Sequence, residues 1–518
     1  MEKIIAQALK KEYTLCFISG LLLTVAFAFR ELFWLNFIAM IPLFLVLLSC
    51  EYGIKKLMRY VFFFSLGYYI PTIHWLYEIT VLFPVSKPAS IAMITLGIFL
   101  IGIVQGLYTF LAFMLFPFIK SGRYRDVFFL SSLYILAEYL QEYTFFAPFP
   151  WAKIGVSLAP FSAFIQSASL FGVYFISFLI LFLNGSLAFI LLNRDNFKKI
   201  RPVFFTIGII LSANIAFGTL RIAFSQKEAD FDGLAVQGNY SGLDKWRNTT
   251  SEMFNGYCEL TRKGVSDKTK IVVWPETAIN TDINVVSQYK DELVKLSDEL
   301  NVTIVTGYFT YQDNDMMYNS IFAVSPNGRF SEPYNKHVLV PFGEYFPMSD
   351  AFKKLFPSFD RIVTNASNIL KGNDFQIMDS SVGRIGGIIC YDSLFTDVAR
   401  NNSKLGADIF VLPSNDSWFG DSSALYQHNC QAIMRAVENN RFIIRASNTG
   451  ISSIISPTGK VLAQAETFVP TALSAPVSLI EKRTLYSYIG NIIIVIPTAV
   501  YVLCLFFALK KVRRKNLH

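Results

Sequence analysis

Long apolar stretches follow one another through the first 225 residues of this 518-residue chain, and one more lies near its end. A helix needs about 20 mostly apolar residues to cross a bilayer. The pattern predicts about eight spans, at Tyr13–Phe29, Phe33–Cys50, Tyr60–Tyr77, Ile91–Phe118, Val127–Leu140, Phe164–Leu192, Val203–Phe217 and Tyr488–Ala508. Buried core helices are the alternative, but such helices rarely follow one another with so few polar residues between them.

Composition limits the classes of protein to which the chain can belong. Hydrophobic residues make up 53% of it and charged residues only 16%, against roughly 25% charged residues in an ordinary soluble domain. A disordered protein, a coiled coil and a wholly soluble multi-domain enzyme are excluded, because soluble cores could not hide so much apolar surface. The excess lies in the predicted spans, and the long stretch before the last span is typical of a globular domain.

Basic residues next to the predicted spans indicate how the chain is oriented. Clusters precede the first span and follow the second, fourth, sixth and last spans: Lys3, Lys10, Lys11, Lys55, Lys56, Arg59, Lys120, Arg123, Arg125, Arg194, Lys198, Lys199, Arg201, Lys510, Lys511, Arg513, Arg514 and Lys515. All of them fall on one side of the membrane, which the positive-inside rule identifies as the cytoplasm. The net charge of +8 is largely this topological signal, so it does not indicate nucleic-acid binding.

This topology divides the chain into four parts. Residues 1–225 form a bundle of about seven helices, residues 230–482 a domain outside the cytoplasm, residues 486–510 a C-terminal transmembrane helix and residues 511–518 a basic cytoplasmic tail. Both termini are expected in the cytoplasm. Ala26-Phe27-Ala28 resembles a signal-peptide cleavage site, but the next span begins almost at once, which favours an uncleaved first helix.

From Asp230 the pattern changes to short β-branched runs that end in turn residues. Candidate strands lie at Gly233–Val236, Ile271–Trp274, Val302–Thr306, Tyr318–Ser325, Ile385–Cys390, Ile409–Pro413, Phe442–Ala446 and Ile451–Ser456. Helical stretches lie at Val285–Leu300, Ser393–Leu405 and Tyr426–Asn440. Strands mixed with helices predict a layered α/β domain, and roughly 250 residues are enough for a core of its own.

Three motifs near strand ends carry reactive side chains: Glu276 follows Trp274-Pro275, Lys336 follows Tyr334-Asn335, and Cys390 ends a strand just before a helix. A cysteine at such a junction lies near the positive end of the helix dipole, which favours the thiolate. A nearby lysine would lower the thiol pKa further and could bind an oxyanion, and a carboxylate could take the thiol proton. Taken singly, Cys390 is more often a buried hydrophobe, and Glu276 and Lys336 are more often surface ion-pair partners.

In this order, Glu276, Lys336 and Cys390 match the Glu-Lys-Cys triad of the nitrilase (carbon-nitrogen hydrolase) superfamily. Further runs resemble its membrane branch, the bacterial apolipoprotein N-acyltransferases, over nearly the whole chain. These runs are Phe149-Pro150-Trp151, Val236–Asn239 with Lys245-Trp246, Pro341–Tyr345, Ser414–Gly420, Gln427-His428, Arg435–Arg441 and Arg445–Gly450. The resemblance implies a membrane α-helical bundle joined to a periplasmic nitrilase-like αββα sandwich, anchored in the bacterial inner membrane.

By the same resemblance, we expect a ping-pong acyltransferase. Glu276 would act as general base on Cys390, and the thiolate would take an acyl chain from the sn-1 ester of a membrane phospholipid to form a thioester. The N-terminal α-amine of a diacylglyceryl-cysteine in an apolipoprotein would then accept that chain, giving a triacylated lipoprotein. Lys336 would stabilise the oxyanion. Supporting or substrate-binding positions are expected at Glu344, Trp246, Tyr391, Asp392 and Trp418.

Two positions depart from the family pattern. The family usually has a glutamate two residues after the nucleophile, whereas this chain has Asp392, which is one methylene shorter. Pro148 stands where a glycine is common before the Phe-Pro-Trp loop. Glu344 either orients Lys336 or forms a structural ion pair.

The segment 351–371 mixes aromatic and basic residues, and two interpretations of it remain open. Phe352, Leu355, Phe356 and Phe359 are interspersed with Lys353, Lys354 and Arg361. The loop either enters the outer leaflet and gates acyl-chain entry, or it is an ordinary packed surface loop.

We expect no cofactor and no metal, because the four histidines show no ligand spacing and no glycine-rich phosphate loop is present. Cys258 and Cys430 either pair or remain two buried thiols. Glu138 either faces the bundle interior or snorkels to the interface. The chain is expected to act as a monomer.

A membrane-tethered amidase that hydrolyses a small C–N substrate with the same triad is the alternative function, although such an enzyme needs no bilayer. A transporter or sensor with a degenerate nitrilase-like domain is a weaker alternative. It predicts a lost triad residue and charged spans, whereas the triad residue types are all present and the spans are nearly uncharged.

Overall fold

A computed structural model describes residues 9–82, 85–144, 147–225, 229–240, 249–312, 316–349, 353–354 and 368–515, with side chains through Lys510. The expected site residue Trp246 and nearly all of the 351–371 segment lie outside the described residues. Within them, the chain forms a helical half, a two-sheet domain and a final helix.

Apolar helices fill the first 224 residues. The longer ones are α1 Glu12–Ala28, α2 Ile41–Ser49, α3 Ile54–Gly67, α4 Lys87–Phe113, α5 Arg125–Glu142, α6 Val173–Leu192 and α7 Phe197–Phe224. Among the described residues, five segments are long and apolar enough to cross a membrane: Arg30–Ser49, Lys87–Ile119, Val173–Leu192, Phe197–Phe224 and Ile492–Lys510. The apolar helical character that the sequence predicts is confirmed, while the number of eight spans stays a prediction.

Close contacts between small residues hold the bundle together. A Cβ on Gly20 would lie 2.3 Å from the Phe64 carbonyl oxygen, and one on Gly67 would lie 2.2 Å from that of Phe17. The backbones of α1 and α3 therefore touch, as membrane helices do where glycine faces glycine. Thr24 of α1 donates to the Gly67 carbonyl at 2.9 Å, so a buried hydroxyl adds a polar contact to the same interface.

The predicted span Phe164–Leu192 is not one helix. Short helices at Ser162–Ile165 and Ala168–Phe171 precede α6, and the chain breaks at Gly172, whose φ is +77°. Only glycine adopts this conformation readily, and a Cβ there would also lie 2.6 Å from the Tyr486 ring. The break exposes the first N–H of α6, and Val173 donates it to Glu438 of the two-sheet domain at 2.8 Å.

Two sheets form the domain of residues 230–482, which is called the outer domain after its predicted location. Their strands are β1 Phe231–Gln237, β2 Thr269–Val273, β3 Thr303–Tyr311, β4 Met317–Ser325, β5 Arg329–Phe330, β6 Tyr334–Asn335, β7 Ile369–Leu370, β8 Ile377–Asp379, β9 Arg384–Gly387, β10 Ile409–Ser414, β11 Ile443–Ser447, β12 Ser453–Ile455, β13 Val461–Gln464 and β14 Thr471–Val477. The first sheet has the order β14-β1-β2-β3-β4-β5, with β6 and β7 also paired to β4. The second has the order β13-β12-β11-β10-β9-β8.

Helices cover the outer faces of both sheets, which confirms the predicted αββα sandwich. Helices α8 Thr250–Gly264 and α9 Ser287–Leu300 pack on the first sheet, and α10 Thr396–Lys404 and α11 Ser423–Asn439 pack on the second. Alternating side chains of the two sheets meet in a central core that includes Val273, Val305, Val411, Ile444 and Ile454. A final helix, α12 Val495–Lys515, returns to the bundle and packs against α5.

The core of the bundle continues into the outer domain. One connected cluster of buried residues contains Phe44, Tyr134 and Ile180 of the bundle together with Phe410 and Val437 of the second sheet and α11. The layer formed by α10 and α11 therefore packs on a sheet on one side and on membrane helices on the other.

The structure extends the sequence prediction of the outer domain at several points. All eight candidate strands are present with shifted ends, but β9 ends at Gly387, before Cys390. Helix α8 and strands β5, β6, β7, β8, β13 and β14 were not predicted. A capping box at the start of α8, in which Thr249 and Glu252 bond each other's backbone N–H, is the signal that locates this helix.

Candidate active site

Glu276 lies just beyond the end of β2, with its side chain buried among donors. Lys336 Nζ lies 3.0 Å from its Oε1, and Asn319 Nδ2 donates to the same oxygen at 2.7 Å. The backbone N–H of Asn415, at the end of β10, donates to Oε2 at 2.9 Å. Residues from both sheets therefore fix this carboxylate at the seam of the sandwich.

Lys336 follows β6, the short strand that pairs with β4. Its backbone N–H donates to Asn319 at 2.9 Å, which continues the ladder by one residue. The ammonium is 1% exposed and lies between two carboxylates, with Glu344 Oε1 at 2.8 Å. Burial lowers the pKa of Lys336, but the carboxylates of Glu276 and Glu344 outweigh burial and hold this pKa well above its ordinary value.

Glu344 contacts Lys336 and also its own loop. Its Oε2 accepts the backbone N–H of Val340 at 2.8 Å. The carboxylate therefore links the ammonium to the 340–345 turn. Two carboxylates thus share one ammonium, and the second of them is partly open to solvent, with 17% of its side chain exposed.

Cys390 begins a single 3₁₀ turn, Cys390–Leu394, and has a left-handed backbone with φ of +49°. A non-glycine residue adopts this conformation at a cost, so neighbouring contacts must hold it. Two such contacts meet at its carbonyl oxygen: Ser393 Oγ donates at 2.8 Å, and His428 Nε2 lies at 3.1 Å. The Cys390 thiol lies close enough to Glu276 and Lys336 for both charges to affect its pKa.

The electrostatics of the thiol differ from the sequence-based expectation. Burial raises the pKa of Cys390 well above its ordinary value, the Glu276 carboxylate raises it further, and Lys336 only partly opposes this. The expected lowering by a helix dipole is wrong, because the following helix is one 3₁₀ turn and burial dominates. Burial and the Glu276 carboxylate therefore both favour the neutral thiol of Cys390.

Asp392 joins the turn Cys390–Leu394, which carries the predicted nucleophile and is called the nucleophile turn below, to the segment around β6 and Lys336, called the lysine strand. Its Oδ1 accepts the backbone N–H of Val338 at 2.8 Å, and its Oδ2 accepts the N–H of Ile389 at 3.2 Å and the Tyr334 hydroxyl at 3.3 Å. Burial raises the pKa of this carboxyl to about 7, although Lys336 opposes the shift. Asp392 therefore reaches both segments despite its shorter side chain.

Residues of the helical half form hydrogen bonds with the same nucleophile turn. Tyr391 donates its hydroxyl to the Pro148 carbonyl at 2.8 Å, and Lys153 Nζ donates to the Leu394 carbonyl at 2.6 Å. Glu142 accepts both the N–H and the hydroxyl of Thr396. The backbone on each side of Cys390 is thus held by residues from the bundle.

Lys153 and Glu142 form a buried ion pair of their own at this junction, with Nζ and Oε2 2.6 Å apart. Both side chains are essentially inaccessible. Glu138 also faces inward and accepts the N–H of Ile154 at 2.7 Å, which agrees with the interior placement rather than with snorkelling.

The expected residue Trp418 lies half-buried in the 3₁₀ helix Asp416–Phe419. Its neighbour Phe419 makes the aromatic contacts, with its ring 4.7 Å from Trp75 and 5.5 Å from Trp151. The Phe-Pro-Trp loop of the bundle thereby meets the loop after β10, and Trp151 donates its indole N–H to Gln427 at 2.6 Å.

A buried cluster behind Cys390 carries no predicted role from the sequence. Asp416 Oδ1 lies 2.9 Å from His428 Nδ1, and its Oδ2 accepts from Arg445. Burial raises the pKa of Asp416, but Arg445 and His428 outweigh burial and hold it well below its ordinary value. His428 Nε2 lies 3.1 Å from the Cys390 carbonyl oxygen, so the cluster contacts the backbone of Cys390. The Gln427-His428 and Arg445 motifs are the signal that could have located this cluster.

Cys390, Asp416 and His428 also have sulfur, oxygen and nitrogen atoms within 4.8 Å of one another, a donor set that a cation could share. The Arg445 guanidinium already lies against Asp416, and His428 is engaged on both ring nitrogens. A cation would have to displace these contacts, so the site does not favour one. Cys258 and Cys430 are buried free thiols on helices covering opposite faces of the sandwich.

Comparison with known proteins covers both halves of the chain. A family model described as carbon-nitrogen hydrolase matches residues 235–482, and one described as apolipoprotein N-acyltransferase N-terminal domain matches residues 19–186. The apolipoprotein N-acyltransferase of Geobacter metallireducens is 30% identical, over 98% of this chain and 97% of that protein. The chain belongs to the apolipoprotein N-acyltransferase family.

Other members of the apolipoprotein N-acyltransferase family align over similar lengths. The Haemophilus influenzae protein of that name is 28% identical over 92% of this chain and 91% of its own. A solved carbon-nitrogen hydrolase from Helicobacter pylori is 17% identical, with a TM-score of 0.38, and covers 48% of this chain and 89% of its own. The carbon-nitrogen hydrolase family model covers the segment with Glu276, Lys336 and Cys390. The model of the N-terminal domain covers the segment with Pro148 and Lys153, which contact the Cys390–Leu394 turn.

Proposed function

We propose that this protein transfers an acyl chain from a membrane phospholipid, through a thioester on Cys390, to the α-amine of a diacylglyceryl-cysteine at the N-terminus of an apolipoprotein. Family membership supports lipoprotein N-acylation, since the relatives carry that name over the full chain length. The phospholipid donor, the thioester and the roles of individual residues are our inference from the site.

The observation that carries the proposal is the attachment of the nucleophile turn to the bundle. Tyr391, Leu394 and Thr396 are bonded to Pro148, Lys153 and Glu142, all from the helical half. A hydrolase of small soluble substrates has no need to hold its nucleophile against membrane helices. An enzyme whose substrates are both lipids does need its nucleophile held in this way, because the thiol must reach the reacting carbonyl at the bilayer surface.

In the first half-reaction, Glu276 takes the proton of the neutral Cys390 thiol as sulfur attacks the ester carbonyl. The Lys336 ammonium, which its carboxylate neighbours keep charged, stabilises the negative oxygen of the tetrahedral intermediate. The C–O bond then breaks, and Glu276 returns its proton to the leaving oxygen. The products are an acyl thioester on Cys390 and a lysophospholipid.

In the second half-reaction, the neutral α-amine of the lipoprotein attacks the thioester carbonyl. Glu276 accepts a proton from the amine, the C–S bond breaks, and that proton passes to the sulfur. The thiol is restored and an amide is formed. Lys336 stabilises the oxyanion a second time, so the same three groups serve both halves without any cofactor.

The supporting residues have separable proposed tasks. Glu344 orients the ammonium, Asp392 joins the lysine strand to the nucleophile turn, and Tyr391 anchors that turn to the bundle. Trp246 and Trp418 are proposed to contact substrate, as their motif positions suggest.

We further propose that residues 1–225 and 486–510 span the bacterial inner membrane, with residues 230–482 on the periplasmic side. Both termini, including the basic tail 511–518, then lie in the cytoplasm, and the chain acts as a monomer. The distribution of basic residues supports this orientation.

The deciding experiment follows Cys390 by intact-mass analysis of the purified protein. Exposure to phospholipid should add one acyl mass, and a diacylated lipopeptide with a free α-amine should remove it. The Cys390→Ser variant should show no thioester adduct. An adduct that clears in water as fast as with the lipopeptide would instead indicate the alternative, a membrane-tethered amidase.

A further inference from the structure

Two basic segments that are far apart in the sequence converge at one groove of the bundle. Arg125 begins α5, and Lys510 lies near the end of α12. The positive-inside rule places both at the same face of the membrane. It does not require them to line one groove, as they do here.

The groove has a volume of about 360 Å³ and lies between α5, α12 and the short helix Phe116–Ile119. Apart from the two cations, its lining is apolar and largely aromatic: Phe118, Ile119, Phe129, Leu503 and Phe507. On each long helix the cation lies one turn beyond an aromatic residue, Arg125 beside Phe129 and Lys510 beside Phe507. The groove thus combines two cationic side chains with an apolar lining.

The groove lies at the end of the bundle that is remote from the proposed catalytic site. Helix α5 has 18 residues, so its ends are about 27 Å apart. Its last residue, Glu142, contacts Thr396 beside the nucleophile turn, whereas Arg125 is its first. A ligand held at Arg125 therefore cannot reach Cys390.

The two cations have spare hydrogen-bonding capacity. Arg125 donates through Nε to Ser121 at 3.2 Å, and within the described part of the chain no carboxylate lies within 4.0 Å of Arg125 or Lys510. The adjacent Asp126 accepts the N–H groups of Ser121 and Gly122 and also the Ser121 hydroxyl, which lies between this carboxylate and the Arg125 guanidinium. Among the described residues, both cations therefore line an apolar groove without a direct acidic partner.

We propose that this groove binds one anionic phospholipid, with its phosphate between Arg125 and Lys510 and an acyl chain along Phe129, Leu503 and Phe507. A phosphate with net negative charge matches two cations, whereas the phosphate of a zwitterionic lipid is already balanced by its own ammonium. The lipid would join the C-terminal helix to the bundle, so its role is structural and it is not the acyl donor.

A neighbouring groove provides a matched control. It has a volume of about 220 Å³ and is lined by Leu48, Ser49, Gly122, Arg123, Phe189, Leu192 and Asn193. Only Arg123 among these residues is a cation, so this groove should show little preference for an anionic headgroup.

Native mass spectrometry of the full-length protein with phosphatidylglycerol and phosphatidylcholine in competition tests the proposal. The wild-type protein should retain phosphatidylglycerol preferentially. Since each cation near the surface contributes about a fivefold preference, Arg125→Gln with Lys510→Gln should reduce the preference by roughly 25-fold. Arg123→Gln should leave it unchanged, and Arg125→Lys with Lys510→Arg should retain most of it. An unchanged preference in the double glutamine variant overturns the proposal.

A second measurement separates this site from lipid bound at the proposed catalytic site. Photoactivatable phosphatidylglycerol should label peptides that contain residues 125–129 and 503–510, in Cys390→Ala as well as in wild type. Labelling confined to the outer domain would mean that the retained lipid is substrate, and the groove proposal would fail while the proposed function stood. This readout also holds if the double variant proves too unstable to purify.

Discussion

The structure contains two buried lysine–glutamate sites that differ in their balance of charge. At the junction, one Lys153 ammonium meets the Glu142 carboxylate, and the remaining polar atoms are met by Leu394, Thr396 and Tyr174. At the seam, one Lys336 ammonium is shared by Glu276 and Glu344. The first site is balanced and closed. The second carries excess negative charge and reaches the surface through Glu344.

This difference teaches how the same residue types serve structure in one place and chemistry in another. In the Lys153–Glu142 pair each charge is neutralised by the other and both are buried, so the pair serves to hold the two halves together. In the proposed mechanism, the site with two carboxylates for one ammonium accepts a proton, and its cation remains charged when an oxyanion forms. The predictions below test this contrast, beginning with the largest expected effect.

Removal of each lysine should separate the two sites most sharply. Lys336→Met should reduce thioester formation by about a thousandfold or more, because the oxyanion loses its cation. Lys153→Met should instead destabilise the fold by about 3–5 kcal/mol, because it leaves Glu142 buried and unpaired. Acyl-adduct kinetics and thermal unfolding of both variants provide the measurements. Equal loss of activity per folded molecule would remove the distinction.

The carboxylates should behave in parallel. Glu276→Gln should slow thioester formation between about a hundredfold and ten-thousandfold, since a neutral amide cannot take the thiol proton. Glu142→Gln is the matched control at the junction, and its rate per folded molecule should change by less than tenfold. Rapid-quench mass analysis under single-turnover conditions gives both rates. A rapid Glu276→Gln enzyme would assign the base to another residue.

His428 allows a test of how the strained nucleophile is held. His428→Asn should reduce the alkylation rate of Cys390 and the rate of thioester formation by about tenfold, because the Cys390 carbonyl loses its contact with the His428 ring. Added imidazole should restore part of this loss. Gln427→Ala, on the same helix but bonded to Trp151, should leave Cys390 alkylation nearly unchanged. A loss of stability with no change in alkylation would limit His428 to a packing role.

Asp392 should give the smallest effect, seen as a pH dependence of stability. Burial raises its pKa to about 7 in the folded protein, above its value in the unfolded chain, so the folded state binds the proton more tightly. Its contribution to stability is therefore fully present below about pH 4 and is lost as pH rises towards 7. The stability of Asp392→Asn relative to wild type should increase by roughly 1–3 kcal/mol between pH 5 and 8. A constant difference over that range would contradict the raised pKa.

Much of the site could be anticipated because its residues lie at strand ends in ordered motifs. Glu276, Lys336 and Cys390 were chosen from such positions, and the structure places the first two 3.0 Å apart. The thiol pKa could not be anticipated, since it depends on burial that only the tertiary fold creates. The helix dipole was the wrong local argument.

The junction was missed for a different reason. In the sequence, Glu142 follows a short apolar stretch and Lys153 is an isolated basic residue, so neither indicates a partner. Their contacts with the two-sheet domain span more than 240 residues, as between Lys153 and Leu394. Hydropathy describes which segments enter a membrane, but it carries no information on which of their polar ends meet.

The continuous core described above has a consequence for biogenesis. Helix α11 buries Val437 in the same cluster as Tyr134 and Ile180 of the bundle, so the second sheet completes its packing only when the bundle is in place. The Cys390–Leu394 turn, which is bonded to the bundle, therefore reaches its final packing only after the bundle has formed. A chain whose bundle fails to form would leave the apolar face of α11 around Val437 exposed. Such a chain would be inactive and open to proteases and chaperones.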